Sequence, residues 1–232
     1  ASGTNTITLG TFSADAAYTC TVTFTDDAGN AASSVDLTEF TLDTTAPVIS
    51  TVVFASGDYV NDAEDESAIN LVITMSDTSA SGQTATATLN SAAYTCDISG
   101  TACTAVITSA GLKALSEASH SFSVAISDEA GNAATAHTST SFTVDRTVAA
   151  ASESTAVSDP TKDTTPDAVI SVAEAGSIAV GGTSGCALSS TSDMASGTNT
   201  ITLGTFSADA AYVCTVAFTD DPGNAAGALT LT

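Results

Sequence analysis

The chain has 232 residues, of which 43% are apolar and only 12% are charged. Asp and Glu number 26 against three Lys and Arg, which gives a formal net charge of −23. Nucleic acid is excluded as a partner and an anionic membrane surface is disfavoured, because both require a basic face that three cations cannot supply. The acid excess suits a soluble surface polymer or a protein that collects divalent cations. No apolar run approaches the ~18 residues of a membrane span.

The chain repeats itself. Residues 195–232 align with residues 1–38 without a gap and agree at 31 of 38 positions, which indicates tandem duplication. A looser copy lies at an offset of 102, where residues 120–134 match 18–32 and residues 141–147 match 39–45. We therefore predict the C-terminal half of one module at 1–44, a complete module at 45–146, and a third module at 147–232 that lacks the end of its last strand. The chain is expected to be a window on a longer protein.

Period-two alternation of apolar and polar residues predicts strands throughout, and the three copies of Asp-x-x-Gly-Asn predict tight turns. Helical spacing occurs only in the short segment 110–117. A linker rich in Ala, Ser, Thr and Asp is expected at 149–166. The predicted strands are 4–9, 18–25 and 31–42; then 48–54, 68–75, 84–89, 92–97, 103–108, 121–127 and 134–144; and finally 167–172, 177–180, 198–203, 212–219 and 226–232. Seven strands in about 100 residues predict an all-β fold of tandem immunoglobulin-like sandwiches arranged end to end.

The five cysteines predict two disulfides and one thiol without a partner. Cys96 and Cys103 are placed symmetrically about Ser99-Gly100, as facing residues of a β-hairpin would be, and such residues lie within disulfide distance. Cys186 and Cys214 are 28 residues apart in the third module. Cys20 is the counterpart of Cys214, and the counterpart of Cys186 falls before residue 1. No Cys-x-x-Cys pair supports zinc, so we interpret the cysteines as disulfides of an exported protein.

The second module resembles the bacterial immunoglobulin-like repeats of very large surface adhesins and biofilm-associated proteins. The resemblance rests on TTAP, GDYVNDAED, ITSAGLKAL, SDEAGN and FTVDRT, in this order between residues 44 and 147. The third module is similar to a sister repeat through DTTPDAVIS, TNTITL and YVCTV…TDDPGN. The resemblance implies a secreted, often calcium-binding, tandem-repeat stalk in cell adhesion. Arg146 and Val148 replace the Thr and Pro that are usual in the linker of this family.

Calcium is the chemistry that the acids favour most. In an immunoglobulin-like sandwich the turn before the last strand lies at the same end as the first residues of the module, so two turn acids should meet an acid of the preceding linker. The loop after the second strand, which contains Asp77, belongs at that end too. Six to eight oxygens at ~2.3–2.6 Å suit calcium. The alternative is that Asp-x-x-Gly-Asn is only a tight turn. The predicted ligands are Asp43, Asp77, Asp128 and Glu129 at the first joint and Asp145, Asp220 and Asp221 at the second; a weaker candidate is the acidic loop Asp62, Glu64, Asp65 and Glu66.

Catalysis has little support in the sequence. His120 and His137 belong to predicted strands, and no nucleophile elbow, phosphate loop or His-Glu-x-x-His motif occurs. The acids near Asp62 could imitate the two carboxylates of a glycosidase, but they lie in one continuous loop, and the loop has no aromatic residue beyond Tyr59 to stack against a sugar. We therefore expect no enzyme.

Two function classes remain. The first is a structural segment of an extracellular stalk or filament, whose partners are adjacent repeats or neighbouring copies. The second is a module that binds a glycan or a protein. Near-identical duplication favours a spacer. The half-module leaves Tyr18, Val22 and Phe24 uncovered, so we expect either continuing polypeptide or a strand from a neighbouring copy to complete it.

Overall fold

A computed structural model describes residues 3–148, 150–159 and 161–232. It confirms the predicted all-β class: strands form nearly all of the regular structure, and the single described helix, α1, spans Ser109–Lys113. No helix in these residues is long and apolar enough to cross a membrane. The strands are β1 Ala16–Tyr18, β2 Thr21–Val22, β3 Val35–Asp36, β4 Phe40–Leu42, β5 Ile49–Phe54, β6 Tyr59–Val60, β7 Ile69–Met75, β8 Thr84–Leu89, β9 Ala92–Asp97, β10 Ala102–Ile107, β11 Ser119–His120, β12 Ser123–Ala125, β13 His137–Thr138, β14 Phe142–Val144, β15 Ser152–Thr155, β16 Asp167–Val172, β17 Gly176–Gly182, β18 Asp193–Met194, β19 Gly197–Thr202, β20 Cys214–Asp220 and β21 Leu229–Thr230.

The strands form small sheets in which most neighbouring strands run antiparallel. Residues 45–146 contribute the orders β10-β7-β5, β13-β12-β8-β9 and β11-β14-β6. In the last of these, β14 runs parallel to β6. Residues 150–232 contribute β15-β16-β19 and β18-β17-β20-β21, and residues 3–44 contribute the pairs β1-β4 and β2-β3.

Alternation decides which side chains enter the core. Along β7, Leu71 and Ile73 are fully buried while their neighbours Asn70 and Val72 are exposed, as period two requires. Phe122 and Val124 of the segment around β12 are also fully buried. The hairpin between β8 and β9 turns through Asn90 and Ser91, both at positive φ (47° and 66°). Two central residues at positive φ define the type I′ turn, whose twist matches that of paired strands.

The C-terminal core is built in the same way. Ala168 and Ile170 of β16, Ile201 of β19, and Val216 and Phe218 of β20 are fully buried. Ile178 of β17 lies directly opposite Phe218. Full burial of such side chains is worth roughly 1.5–3 kcal/mol each, so this cluster is the main source of cohesion in the segment.

The chain divides into two compact units that do not follow the repeat boundaries. One comprises residues 1–53, 71–106 and 122–140, and the other comprises 54–70, 107–121 and 141–232. Both units draw on residues 45–146. The module boundaries at 44/45 and 146/147, which come from the repeat pattern, remain a proposal.

The duplicated segments differ in structure although their sequences agree. Residues 4–9 form no strand, contrary to the prediction, whereas their copy includes β19, which pairs with β16 along six residues. Phe24 is 67% exposed, whereas its copy Phe218 is fully buried against β17. A strand needs a partner for its backbone groups, and residues 3–46 contain no counterpart of β16 or β17.

Two further predictions were wrong in detail. The long strand predicted at 134–144 is divided, because β13 joins β12 while β14 joins β11 and β6. Ser139 lies at the break, is buried, and accepts a hydrogen bond from the Phe122 amide (2.9 Å) through Oγ. The predicted linker contains β15, which pairs with β16 through an irregular register; the part of the linker at residues 149 and 160 lies outside the described residues.

The structure contains the two disulfides that the sequence predicts. Cys96 and Cys103 have Cα atoms 5.7 Å apart, Cys186 and Cys214 are 5.5 Å apart, and Cys20 is a free thiol. The hairpin argument for the first pair was wrong, however. Cys96 lies on β9, which pairs with β8, whereas Cys103 lies on β10 in a different sheet with β7. This disulfide therefore joins two sheets beside the tight turn that the antiparallel bridge between Ser99 and Ala102 closes.

Candidate functional site

The Asp-x-x-Gly-Asn turn has the same hydrogen bonding in each of its three copies. The first Asp accepts from the backbone amide of the Asn through Oδ1, at 2.7 Å for Asn30, 2.8 Å for Asn132 and 2.7 Å for Asn224. The Asn side chain donates to the second oxygen of the same carboxylate, at 2.9, 2.9 and 3.1 Å respectively. The glycines have positive φ, 89°, 93° and 101°. The asparagines of these turns do not have positive φ.

These hydrogen bonds favour the ionised carboxylate. The side-chain amide of Asn132 is the main cause that lowers the pKa of Asp128, and Asn30 lowers the pKa of Asp26 in the same way. Asp128 is also buried, so its charge is held by the turn itself. This arrangement explains why Asp and Asn occur together at this spacing: one carboxylate satisfies two donors of one residue.

In the second and third copies, the turn also forms a hydrogen bond with the segment that precedes its module. Asn132 Nδ2 donates to the carbonyl oxygen of Asp43 (3.0 Å), and Asn224 Nδ2 donates to the carbonyl oxygen of Asp145 (3.0 Å). Asp43 and Asp145 are equivalent positions at the offset of 102. Their carboxylates also act alike, since each accepts from the amide two residues later, at 3.0 Å for Thr45 and 3.1 Å for Thr147. We call these two contacts the turn–linker joints.

At the second joint three carboxylates converge. Asp145, Glu174 and Asp220 each place one oxygen within 4.8 Å of the others. Asp220 is buried, and the other two are half-buried. Among the residues that the structure describes, this is the one group of three acids, cysteines or histidines close enough to share a metal ion. Asp221, also predicted as a ligand, is exposed and does not belong to the group.

Glu174 was missed by the sequence reasoning, although the signal was present. It lies in the turn between β16 and β17. The pairing of β17 with β20 corresponds to the pairing of β8 with β12 in the second module. The turn between β16 and β17 is therefore the counterpart of the β7–β8 loop, which contains Asp77. Asp77 was predicted from the argument that this loop lies at the joint end. The same argument applied to the third module points to Glu174.

The first joint does not gather its predicted acids in the same way. Asp77 is exposed, and its carboxylate accepts from the amide (2.9 Å) and hydroxyl of Ser79, the hydroxyl being the main cause of its lowered pKa. Glu129 is exposed. In the described part of the chain, Asp43, Asp77, Asp128 and Glu129 form no group of three.

The acidic loop at 61–66 belongs to the second joint. Asn61 Nδ2 donates to the carbonyl oxygen of Pro222 (2.8 Å), in the turn that contains Asp220. Asp65 is 1% exposed and forms an ion pair with Arg146 Nε. The same guanidinium donates to the carbonyl oxygens of Leu115 (3.1 Å) and Leu112 (2.8 Å) at the end of α1.

Arg146 is therefore a structural residue of the joint, which the sequence reasoning did not foresee. Its planar fork reaches a carboxylate and two carbonyls together, a geometry that the Thr of the family pattern cannot provide. Glu66, at the end of the acidic loop, forms an exposed ion pair with Lys113 of α1 (2.6 Å), and this hydrogen bond raises the pKa of Lys113.

The histidines lie in strands as predicted. His120 in β11 contacts the carbonyl oxygen of Ser116 (2.9 Å), and His137 lies in β13 of a different sheet. Neither belongs to the acidic group at the second joint.

The fold defines an all-β chain of immunoglobulin-like architecture. No family model and no curated protein matches the sequence. Solved structures do. An adhesin stabilised by Ca2+, which helps an Antarctic bacterium to reach out and bind ice, is 24% identical with a TM-score of 0.46, over 93% of this chain and 56% of that one. This chain thus spans about half the length of that adhesin structure.

Two further structures come from bacterial adhesins. A 1.5-MDa ice-binding adhesin, studied for its retention at the host cell surface, is 22% identical with a TM-score of 0.50, over 94% of this chain and 73% of that one. An immunoglobulin-like domain of the M. primoryensis ice-binding adhesin is 25% identical with a TM-score of 0.31, over 41% of this chain and 96% of that one. The likeness to the 1.5-MDa adhesin supports the immunoglobulin-like fold.

Proposed function

We propose that this chain is a structural repeat segment, a building block of a stalk or filament, in a large secreted or cell-surface adhesin, with no catalytic role. One observation carries the proposal: the same Asn side chain of a duplicated turn holds the same linker carbonyl at both joints, at 3.0 Å in each case. A contact copied together with the repeat serves the connection between repeats, because each repeat then fixes the linker that precedes it.

The disulfides support an extracellular location. Two of them cross-link a chain with a small aromatic content, and such bonds persist in oxidising compartments. The acid excess supports solubility of a long surface polymer. The partners that follow are adjacent repeats, or neighbouring copies in a filament, in cell adhesion or a biofilm. The 1.5-MDa bacterial adhesin to which this chain is similar in fold is consistent with this proposal.

Calcium at the second joint is part of the proposal. Asp145, Glu174 and Asp220 come from the linker, the β16–β17 turn and the turn after β20, and supply hard oxygen ligands. Oxygens within 4.8 Å of one another fit around an ion with bonds of ~2.3–2.6 Å, with water completing six to eight ligands. The ion would neutralise three carboxylates that otherwise repel one another. It would also connect the linker to the turn after β20 a second time, in addition to the hydrogen bond of Asn224.

The proposal is tested on tandem arrays. Polypeptides with one, two and four copies of the 194-residue repeat are compared by electron microscopy and small-angle scattering, and a stalk requires the length to rise by a constant increment per repeat. An array that collapses into a globule of nearly constant length contradicts the stalk. The alternative is a glycan- or protein-binding module, for which the array length is immaterial and for which a glycan or host-protein ligand must be found.

A further inference from the structure

Most acids of the acidic loop have a partner within the protein. Glu64 accepts a hydrogen bond from the Asn61 amide (3.1 Å), and Asp65 and Glu66 each form an ion pair. The fourth acid, Asp62, is exposed. In the part of the chain that the structure describes, none of the four belongs to a group of three that could share a metal ion. The loop therefore has a defined set of contacts that does not depend on a cation.

Asn61 and Glu64 bind each other reciprocally. The Glu64 amide donates to Asn61 Oδ1 (2.8 Å), and the Asn61 amide donates to Glu64 Oε2 (3.1 Å). This is the pattern of a capping box, in which two residues three positions apart satisfy each other's backbone amides. Because Oδ1 of Asn61 is already an acceptor within the loop, Nδ2 is the end of the side-chain amide that can bind another segment.

The segment that Asn61 Nδ2 binds is the turn after β20. It donates to the carbonyl oxygen of Pro222 at 2.8 Å. The approach is close, because a Cβ atom at Gly223 would lie 3.0 Å from the same nitrogen. Gly223 also has a φ of 101°, a conformation that glycine adopts without strain. Any other residue at this position would both strain the turn and crowd Asn61.

A second contact runs in the opposite direction, from the turn to the loop. Asn224 Oδ1 accepts from the Asp62 amide (3.4 Å), while Asn224 Nδ2 donates to Asp220 within the turn. Each asparagine thus uses one end of its side-chain amide within its own segment and the other end on the backbone of the other segment. Asn61 and Pro222 are 161 positions apart in the chain, so these contacts join the second module to the third.

We propose that the acidic loop is a docking site for the Asp-x-x-Gly-Asn turn of the module that follows it, and that Asn61 is the residue that recognises the turn. The Gly and the Asn occur in all three copies of the turn, so the selectivity of the joint lies in the loop of the preceding module, through Asn61 and Glu64. The contact holds without a metal ion, because both hydrogen bonds join neutral amides to neutral carbonyl groups. The inference rests on the proposed repeat function and names the docking partner of one module in the next.

The test is a double-mutant cycle of Asn61→Ala and Asn224→Ala in the whole chain, with chelator present. Amide hydrogen exchange followed by NMR measures the protection of the Gly223 amide, which donates to Asp220 Oδ1 (2.8 Å). We expect Asn61→Ala to lower this protection about threefold or more, the loss typical of one neutral hydrogen bond, and to have almost no further effect once Asn224→Ala is present. Asn30→Ala is the matched control, because it removes the same residue from the first copy of the turn, where no contact with the loop is described. The effects of Asn61→Ala and Asn30→Ala on this amide should therefore simply multiply.

A second variant separates docking from the shape of the loop. Asn61→Asp keeps an acceptor for the Glu64 amide but removes the donor to Pro222, so the Glu64 amide should stay protected while the Gly223 amide loses protection. Gly223 protection within about twofold of the parent in both Asn61 variants, or effects of Asn61→Ala and Asn224→Ala that multiply, would overturn the proposal. The cycle is measured on the single chain and the stalk is measured by array length, so failure of the docking site is distinguishable from failure of the stalk.

Discussion

Asn224 occupies the centre of the second joint. Its side chain is buried, and Nδ2 donates to the carboxylate of Asp220 and to the backbone carbonyl oxygen of Asp145. Its side-chain oxygen Oδ1 accepts from the Asp62 amide at 3.4 Å. Three segments of the chain therefore meet at one amide group. Asn30 makes the same contacts within its turn but is exposed.

The Asn224→Ala substitution should be clearly destabilising. It removes the donor to a linker carbonyl and leaves partly buried acceptors without a partner, a change that costs ~1–3 kcal/mol. We expect a lower melting temperature in calorimetry of the whole chain. Asn30→Ala is the matched control, since it changes the same turn where no linker contact is described, and should stay within ~0.5 kcal/mol of the parent. Equal effects of the two variants would mean that the turn alone, and not the linker contact, sets the cost.

Arg146 and Lys113 each pair with an acid of the 61–66 loop, but the loss of the two pairs should differ greatly in its effect on stability. Arg146→Met leaves Asp65 as a buried charge without its partner, and breaking one side of such a pair typically costs ~3–5 kcal/mol. Lys113→Met removes an exposed pair with Glu66, which solvent screens, so the melting temperature should hardly change. Calorimetry of both variants measures the difference. The double variant Arg146→Met with Asp65→Leu should recover most of the loss, because no uncompensated charge remains; a double variant as unstable as the single one contradicts the ion-pair explanation.

At the scale of elements, the sequence predicts strands well where both partners are present. β8, β9 and β16 have the predicted bounds, because alternation and burial agree there. Residues 4–9 have the same alternation of apolar and polar residues as β19 but form no strand. The alternation therefore indicates that a segment is able to form a strand, and does not indicate whether a partner strand is present. The division of the predicted strand at 134–144 was also beyond sequence reasoning, since a change of sheet leaves the alternation intact.

The position of the candidate site could be predicted from the sequence, but not all of its residues could. The joint end of the fold and the acids Asp145 and Asp220 follow from the order of the strands. Glu174 needs the correspondence between β16–β17 and β7–β8, which the low similarity of the second and third modules hides. Arg146 was noticed as a departure from a family pattern. Two of its hydrogen-bond acceptors are the backbone carbonyl oxygens of Leu112 and Leu115, and because every residue has such a carbonyl, the sequence does not indicate which ones it contacts.

Supplying the partner strands should order the first segment. We propose placing a copy of residues 147–194 immediately before Ala1, which restores the context that Ala195 has in the third segment. Residues 4–9 should then gain hydrogen-exchange protection like that of 198–203, and Phe24 should become buried like Phe218 because both would meet the same partner. Hydrogen exchange followed by mass spectrometry measures both segments.

The same extended chain tests the cysteine assignment. Cys20 should form a disulfide with the added counterpart of Cys186, as Cys214 does in the present chain. A scrambled insert of equal length and composition is the control and should leave Cys20 free. Protection that fails to appear in residues 4–9 while Cys20 becomes oxidised would show that the strand depends on more than its missing neighbour.

At the scale of the whole molecule, the net charge of −23 makes cation binding and stability interdependent. Acids brought together at a joint repel one another in the metal-free protein, and a bound divalent ion converts that repulsion into cohesion. We expect calcium at one hundred times its dissociation constant to add ~2.7 kcal/mol to the folded state, and a chelator to remove it. For a chain of this size that is roughly 5–10 °C in melting temperature, from about 2–4 °C per kcal/mol.

Variants assign this effect to the second joint. Glu174→Gln should abolish most of the calcium-dependent rise in melting temperature, because it removes one of the three carboxylates that would hold the ion. Asp221→Asn is the matched control: it removes the same charge beside Asp220 but outside the group, and should keep the calcium response. Asp77→Asn tests the first joint in the same way. A calcium response that survives Glu174→Gln but is lost with Asp221→Asn or Asp77→Asn would place the ion away from Asp145, Glu174 and Asp220. A melting curve of the parent that is indifferent to calcium would contradict calcium as a component of the second joint.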